Sequence, residues 1–156
     1  MPKPRTAGSQ ANYTGSQLEQ LITQTLLNNG YLLVESSRFR AATYLHQPIF
    51  AQQFHIGESI YGSDLNIDFI IYHPEKWPDS LIIEAKWQQE QGSVDEKYPY
   101  LVMNLKERCS ERSMVVLGGG GCRSGAVRWL KEQMDKQLIH VFNYEEFLAK
   151  ANRGLI

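Results

Sequence analysis

Two short apolar runs, Ile67 to Tyr72 and Leu81 to Trp87, stand close together, and each carries charge where a strand is normally apolar. Both are rich in isoleucine, and the link between them holds Pro74 and Pro78, the pattern of a β-hairpin with an extended loop. Side chains alternate between faces along a strand. Asp68, Ile70 and Tyr72 therefore share one face of the first run, and Ile82, Glu84 and Lys86 share one face of the second. A hairpin symmetric about Lys76 sets Asp68 opposite Glu84. Carboxylates opposed on neighbouring strands, about 5 Å apart, repel unless a cation or a proton lies between them. The hairpin asks for a metal.

The cation that suits two carboxylates is hard and oxygen-loving. Mg²⁺, with Mn²⁺ as a substitute, takes one or two carboxylates, keeps several waters and accepts phosphate oxygens in its remaining positions. Lys86, two residues past Glu84 on the same face, reaches the same point. Such an ion acidifies water and neutralises phosphodiester charge, while an adjacent ammonium orients that water or stabilises the transition state. The chemistry indicated is phosphodiester hydrolysis.

The pattern Ile67-Asp68, fifteen residues, then Glu84-Ala85-Lys86 resembles the signature of the PD-(D/E)XK, or restriction-endonuclease-like, nuclease superfamily, with Ile67 where proline is often found. Gln88 and the segment Gly92 to Lys97 also resemble what some members carry, and the likeness spans residues 13 to 150. It implies an α/β fold, a mixed sheet flanked by helices on both faces, with a central helix after the lysine strand. It also implies a Mg²⁺-dependent DNA endonuclease in which Asp68, Glu84 and the Ala85 carbonyl hold the metal. Lys86 would then position or activate water, with Gln88 and Glu19 in support. An inactive nuclease-fold subunit that binds DNA or serves assembly is the alternative.

A chain of 156 residues is most simply one domain, taken as 13–156 behind a flexible tail at 1–12. The tail's Lys3 and Arg5 are available to phosphate. Net charge is −1, so nucleic acid would have to be gripped by a local patch rather than by bulk charge. No run is long enough to span a bilayer and no leader is visible, which points to the cytoplasm. Cys109 and Cys122 lack ligand spacing and read as free thiols.

Leu18, Leu21, Ile22, Leu26 and Leu27 recur at helical spacing from Ser16, with Gly30 as the stop. Ser16 and Glu19 have capping-box spacing, a second account of Glu19 beside the metal-site one. Tyr31 to Glu35 reads as a strand. The following SSRFR segment, with Arg38 and Arg40, either grips phosphate or is a solvated turn. Ile49 to Ile56 reads as a strand. Ser93 and Glu96 again look like a capping box, but Pro99 predicts a short turn at Val94 to Lys97 and a main helix from Tyr98 or Pro99. Lys97 then stands at a helix start, either near a scissile phosphate or simply solvated. Strands at Ser113 to Leu117 and Leu138 to Phe142 and helices at Ser124 to Asp135 and Tyr144 to Ala151 complete the order.

The glycines Gly118 to Gly121 between a strand and a helix raise a third reading, nucleotide binding, but no Gly-Lys-Ser/Thr triplet accompanies them. The four histidines are scattered, which argues against a zinc or histidine-metal site. A domain this small that cuts both strands of a duplex needs two copies, so a C2 homodimer on DNA is expected.

Overall fold

The computed structural model describes the backbone of residues 7–156 and the side chains from Gly15 onward. Helix α1 (Ala7–Asn28) leads into β1 (Leu32–Leu33), a 3₁₀ turn at Ser36–Arg38 and the short α2 (Phe39–Ala42). Then come β2 (Ile49–Glu58), β3 (Asp64–His73) and β4 (Trp77–Trp87). The second half alternates α3 (Tyr98–Glu107), β5 (Arg112–Gly118), α4 (Ser124–Glu132), β6 (Leu138–Asn143) and α5 (Tyr144–Asn152). The six strands form one sheet in the order β1 to β6. Strands β2, β3 and β4 are antiparallel neighbours, whereas β4, β5 and β6 run parallel. The fold is α/β, as the hairpins followed by helical crossovers predict.

Helices cover both faces. On one, Leu18, Ile22 and Leu26 of α1 and Phe147 and Ala151 of α5 pack on Phe69, Ile71, Ile83 and Val116. On the other, Tyr98, Val102 and Leu105 of α3 and Leu130 of α4 pack on Ile70, Ile82 and Val115. Burial on both sides explains why Leu81, Ile82 and Ile83 run as unbroken apolar sequence, each fully buried. Emptying any of these positions to alanine costs about 2–5 kcal/mol.

Several boundaries differ from the sequence expectation. Helix α1 is already formed at Ala7, so Ser16 lies inside it and the Ser16–Glu19 capping box is not there. The residues read as a tail from 7 to 12 are helical; Lys3 and Arg5 lie outside the described residues. The first strand shrinks to Leu32–Leu33, a parallel edge strand about half exposed, because only one side of it has a neighbour. The Ser93–Glu96 box is also absent, since a 3₁₀ turn at Asp95–Lys97 starts without a side-chain cap; α3 then begins at Tyr98 with Pro99 in its first turn, where its missing N–H costs nothing. Among the described residues no helix is long and apolar enough to cross a membrane.

Candidate active site

The ladder between β3 and β4 pairs Ile71 with Leu81, Ile70 with Ile82 and Phe69 with Ile83, and there it ends. Beyond that point β3 stays with β2 while β4 stays with β5 out to Trp87 and Gly118. The two strands fork at Asp68 and Glu84. Their side chains take over where backbone pairing stops: Asp68 Oδ2 accepts the Ala85 amide at 2.8 Å, and Glu84 Oε1 accepts the Asp68 amide at 3.2 Å. A buried amide at a fork must find some acceptor, and here each finds a carboxylate.

Lys86 Nζ lies 2.9 Å from Glu84 Oε2 and 3.7 Å from Asp68 Oδ2. The ammonium thus sits between the carboxylates, at the place the opposed charges require a cation. Burial pushes the Glu84 carboxyl up to about 7, with Lys86 opposing the rise and Asp68 adding to it. Burial also works against the Lys86 charge, but the Glu84 and Asp68 carboxylates outweigh it and hold the ammonium above its ordinary range.

Glu19 approaches from α1. Its carboxyl is raised first by burial and then by the Asp68 charge, with Lys86 pulling the other way, so it shares the electrostatic field of the cluster. No hydrogen bond joins it to Asp68, Glu84 or Lys86 among the described residues, nor do three acidic, histidine or cysteine side chains there stand close enough to form a ready cation cage. What does converge is a pair of hard carboxylates, Asp68 and Glu84, tied to the Ala85 amide, with an ammonium already standing in for positive charge. That donor set fits Mg²⁺ or Mn²⁺ and not a soft thiolate-seeking metal.

Sequence reasoning missed Gln53. It lies across β2 from Asp68, between the paired positions Gln52–Phe69 and Phe54–Ile67, and its Nε2 reaches Asp68 Oδ1 at 3.5 Å. Its φ is +49°, a left-handed conformation that costs a non-glycine residue about 1–2 kcal/mol. The consequence is visible in the core. Ala51 and Phe54 pack in the same cluster, as do Ile67 and Ile70, although strict alternation would put each pair on opposite faces. Both strands turn over at Gln53 and Asp68. Nothing in the composition of the QQ dipeptide marks which glutamine bends.

Other expected residues have different surroundings. Gln88 is buried and pins the glycine loop: its Nε2 donates to the Gly121 carbonyl at 3.2 Å and its own carbonyl accepts the Gly121 amide at 2.7 Å. Arg40 donates to the buried Glu111 at 3.1 Å and its guanidinium lies over the Phe54 ring. Arg38 makes an exposed pair with Glu35 at 3.4 Å, an interaction of little strength. Lys97 is exposed at the start of α3, with no ion-pair partner among the described residues.

The glycines have structural work. A Cβ on Gly118 would fall 2.6 Å from the Trp87 ring, on Gly119 2.4 Å from the Gln88 carbonyl oxygen, and on Gly121 2.4 Å from the Gln89 carbonyl carbon. The run lets β5 and its loop lie against the end of the lysine strand. At the head of α4, where a phosphate would sit, Asp95 Oδ2 already accepts the Arg123 amide at 3.2 Å. That carboxylate also pairs with the Arg123 guanidinium at 3.6 Å, so the helix start is already occupied by an anion. Beside the loop, an open cleft of about 630 Å³ is bounded by Leu18, Leu21, Trp87, Gly118 and Glu146; Asp68, Glu84 and Lys86 do not line it. Its lining is mostly apolar, with Glu145 and Glu146 outnumbering Lys131, which does not suit a polyanion.

The model of the PD-(D/E)XK nuclease superfamily domain matches residues 10–155. No curated protein and no solved structure matches the chain. With the forked hairpin, its two carboxylates and its lysine at the positions of the signature, and with that match over nearly its whole length, this chain belongs to the PD-(D/E)XK nuclease superfamily.

Proposed function

We propose that the chain is a Mg²⁺-dependent DNA endonuclease. Nucleases of this superfamily generally use divalent metals. The observation that carries the reading is the placement of Lys86 between Asp68 and Glu84 at the point where β3 and β4 part. An ammonium held between two carboxylates at a partly solvent-reachable fork, with Glu84 and Lys86 both pushed away from their ordinary ranges, is the kind of perturbed charge cluster found where chemistry is done. Asp68, Glu84 and the Ala85 carbonyl would hold the ion. Bound there, it supplies Lewis-acid stabilisation of the phosphodiester and makes water more acidic.

The remaining work falls to the chain. Lys86 orients the attacking water and donates to the negative charge that grows on the phosphate oxygens. The Ala85 and Asp68 amides fix the carboxylates, so the donors are in place before substrate arrives. Glu19 adds a third carboxylate to the same field. Lys97 is available to a flanking phosphate, whereas Arg38 and Arg40 would have to exchange their glutamates for DNA. A C2 homodimer would present two such sites to the two strands of a duplex. The two free thiols suit a reducing compartment such as the cytoplasm.

The test is cleavage of plasmid and oligonucleotide DNA in Mg²⁺ or Mn²⁺, beside calorimetric metal titration of the wild type and Glu84→Ala. Cleavage lost in Lys86→Ala, with metal binding kept there and lost in Glu84→Ala, is the expected result. A wild type that binds DNA but neither metal nor cuts would instead be an inactive nuclease-fold subunit.

A further inference from the structure

The turn between β2 and β3 is built more rigidly than a surface turn requires. Ser59, fully buried, donates its amide to the Ser63 carbonyl at 2.7 Å, and its own carbonyl accepts the Gly62 amide at 2.9 Å. Its hydroxyl lies 2.8 Å from the Ser63 hydroxyl and accepts the Tyr61 amide at 3.2 Å. Gly62, at φ +76°, closes the bend. The turn is also tied to α3, because the Ile60 amide donates to Oδ1 of the buried Asn104 at 2.9 Å. All of this holds one side chain outward. Tyr61 is 79% exposed, and its ring stacks on Tyr100 of α3 with centroids 5.2 Å apart and planes 20° from parallel.

A single exposed aromatic is ordinary. A stacked pair fixed by buried polar groups, with its outer ring bare, is a surface prepared for a third ring. Its position is informative. Strand β3 leaves this turn at Asp64 and reaches Asp68 after about 13 Å at the usual strand rise. The start of the strand, three residues past Tyr61, is thus about four stacked base steps from Asp68. On the other side, Lys97 stands one turn before Tyr100, so an exposed ammonium, without an ion-pair partner among the described residues, and an aromatic ring share one side of α3. A cation beside a bare ring is the pairing used to hold a phosphate and its base on single-stranded nucleic acid.

Resting on the nuclease reading above, we infer that Tyr61, backed by Tyr100 and flanked by Lys97, is a stacking platform for an unpaired base close to the scissile phosphodiester. The preferred substrate is then DNA with a single-stranded or unstacked segment rather than a perfect duplex. In a closed duplex every base face is already occupied by its neighbours, and the ring has nothing to cover.

The experiment compares binding of a single-stranded oligonucleotide carrying 2-aminopurine with binding of the same strand in a perfect duplex, in Ca²⁺ to hold off cleavage. Wild type should bind the single strand more tightly and change its fluorescence. Tyr61→Ala should weaken single-strand binding about tenfold and abolish the fluorescence change, while duplex binding stays within about twofold. Tyr61→Phe should keep wild-type behaviour, which separates stacking from hydrogen bonding. Lys97→Gln should lower the salt slope by about one phosphate contact on either DNA. Equal losses on both DNAs, or no loss in Tyr61→Ala, would overturn the platform and leave the nuclease reading intact. A wild type that binds neither DNA would overturn both.

Discussion

Gln53 and Asp68 face each other where β2 and β3 both turn over, and the glutamine holds a left-handed backbone while its amide reaches Asp68 Oδ1. Strain of this kind persists where the surrounding structure over-determines it, and it clusters at functional sites. Gln53→Gly removes the strain and the amide together. Stability should be unchanged or raised by up to about 1 kcal/mol, the relief being partly offset by the glycine's extra entropy. DNA cleavage should fall about tenfold as Asp68 loses its orienting contact, a modest share of what an outer-shell partner contributes. A variant that melts earlier with full activity would remove Gln53 from the site.

Asp68 serves both as a charge and as a backbone acceptor, and two substitutions separate the roles. Asp68→Asn keeps an oxygen for the Ala85 amide and removes a charge, so in chelator near pH 8 it should melt above wild type. Asp68→Ala strands that amide and should cost about 1–3 kcal/mol. Equal destabilisation by both would mean that repulsion within the cluster is not felt.

The pH dependence of metal-free stability follows from Glu84. Its carboxyl is held above the ordinary value of 4.5, up to about 7, mainly by burial. The folded chain therefore binds this proton more tightly than the unfolded chain does. That contribution to stability is full below 4.5 and is lost as pH rises through about 7. Melting temperature in chelator should fall across this window in wild type, and fall distinctly less in Glu84→Gln. Added Mg²⁺ should shrink the wild-type fall, since a ligand of the ionised native form stabilises it.

Lys86→Arg should not be conservative. A planar guanidinium cannot take the place of a compact ammonium 2.9 Å from Glu84 and 3.7 Å from Asp68. Cleavage should drop at least about a hundredfold, the scale of losing one transition-state donor, with DNA binding kept. Single-turnover cleavage beside a binding isotherm reads both.

The glycine loop makes its own prediction. Gly119→Ala places a methyl 2.4 Å from the Gln88 carbonyl oxygen at φ +90°, so the segment after β4 must shift. Limited proteolysis between Gln88 and Lys97 should accelerate. Gly125→Ala, in α4 with open space around it, should leave the chain as stable as before or slightly more so.

Much of this site was legible because a hairpin symmetric about its turn fixes which residues stand opposite one another. Asp68 and Glu84 could be placed opposite one another from numbering alone, and the observed pairing of Phe69 with Ile83 agrees. The turn and helix split at Pro99 was legible for the same kind of reason, a missing N–H. Gln53 was not, because its conformation is imposed by the strands around it and not by its own preference. The end of the β3–β4 ladder was equally hidden: where two strands cease to pair is decided by their outer neighbours, β2 and β5, which are distant in sequence. The early start of α1 escaped because residues before Ser16 lack the apolar period that marks a buried helical face.

The fork has a consequence for how such a chain could change over time. Asp68 and Glu84 are the acceptors for two main-chain amides, so a descendant that no longer cut DNA would still be under pressure to keep an oxygen at both positions. Asparagine or glutamine would satisfy that need, and so would the original acids. Lys86 accepts no such duty; without chemistry, its ammonium is merely a counter-charge that a less acidic pair would not call for. In relatives of this chain, then, an intact pair of acids says little about whether the enzyme still works, and the fate of the lysine says most.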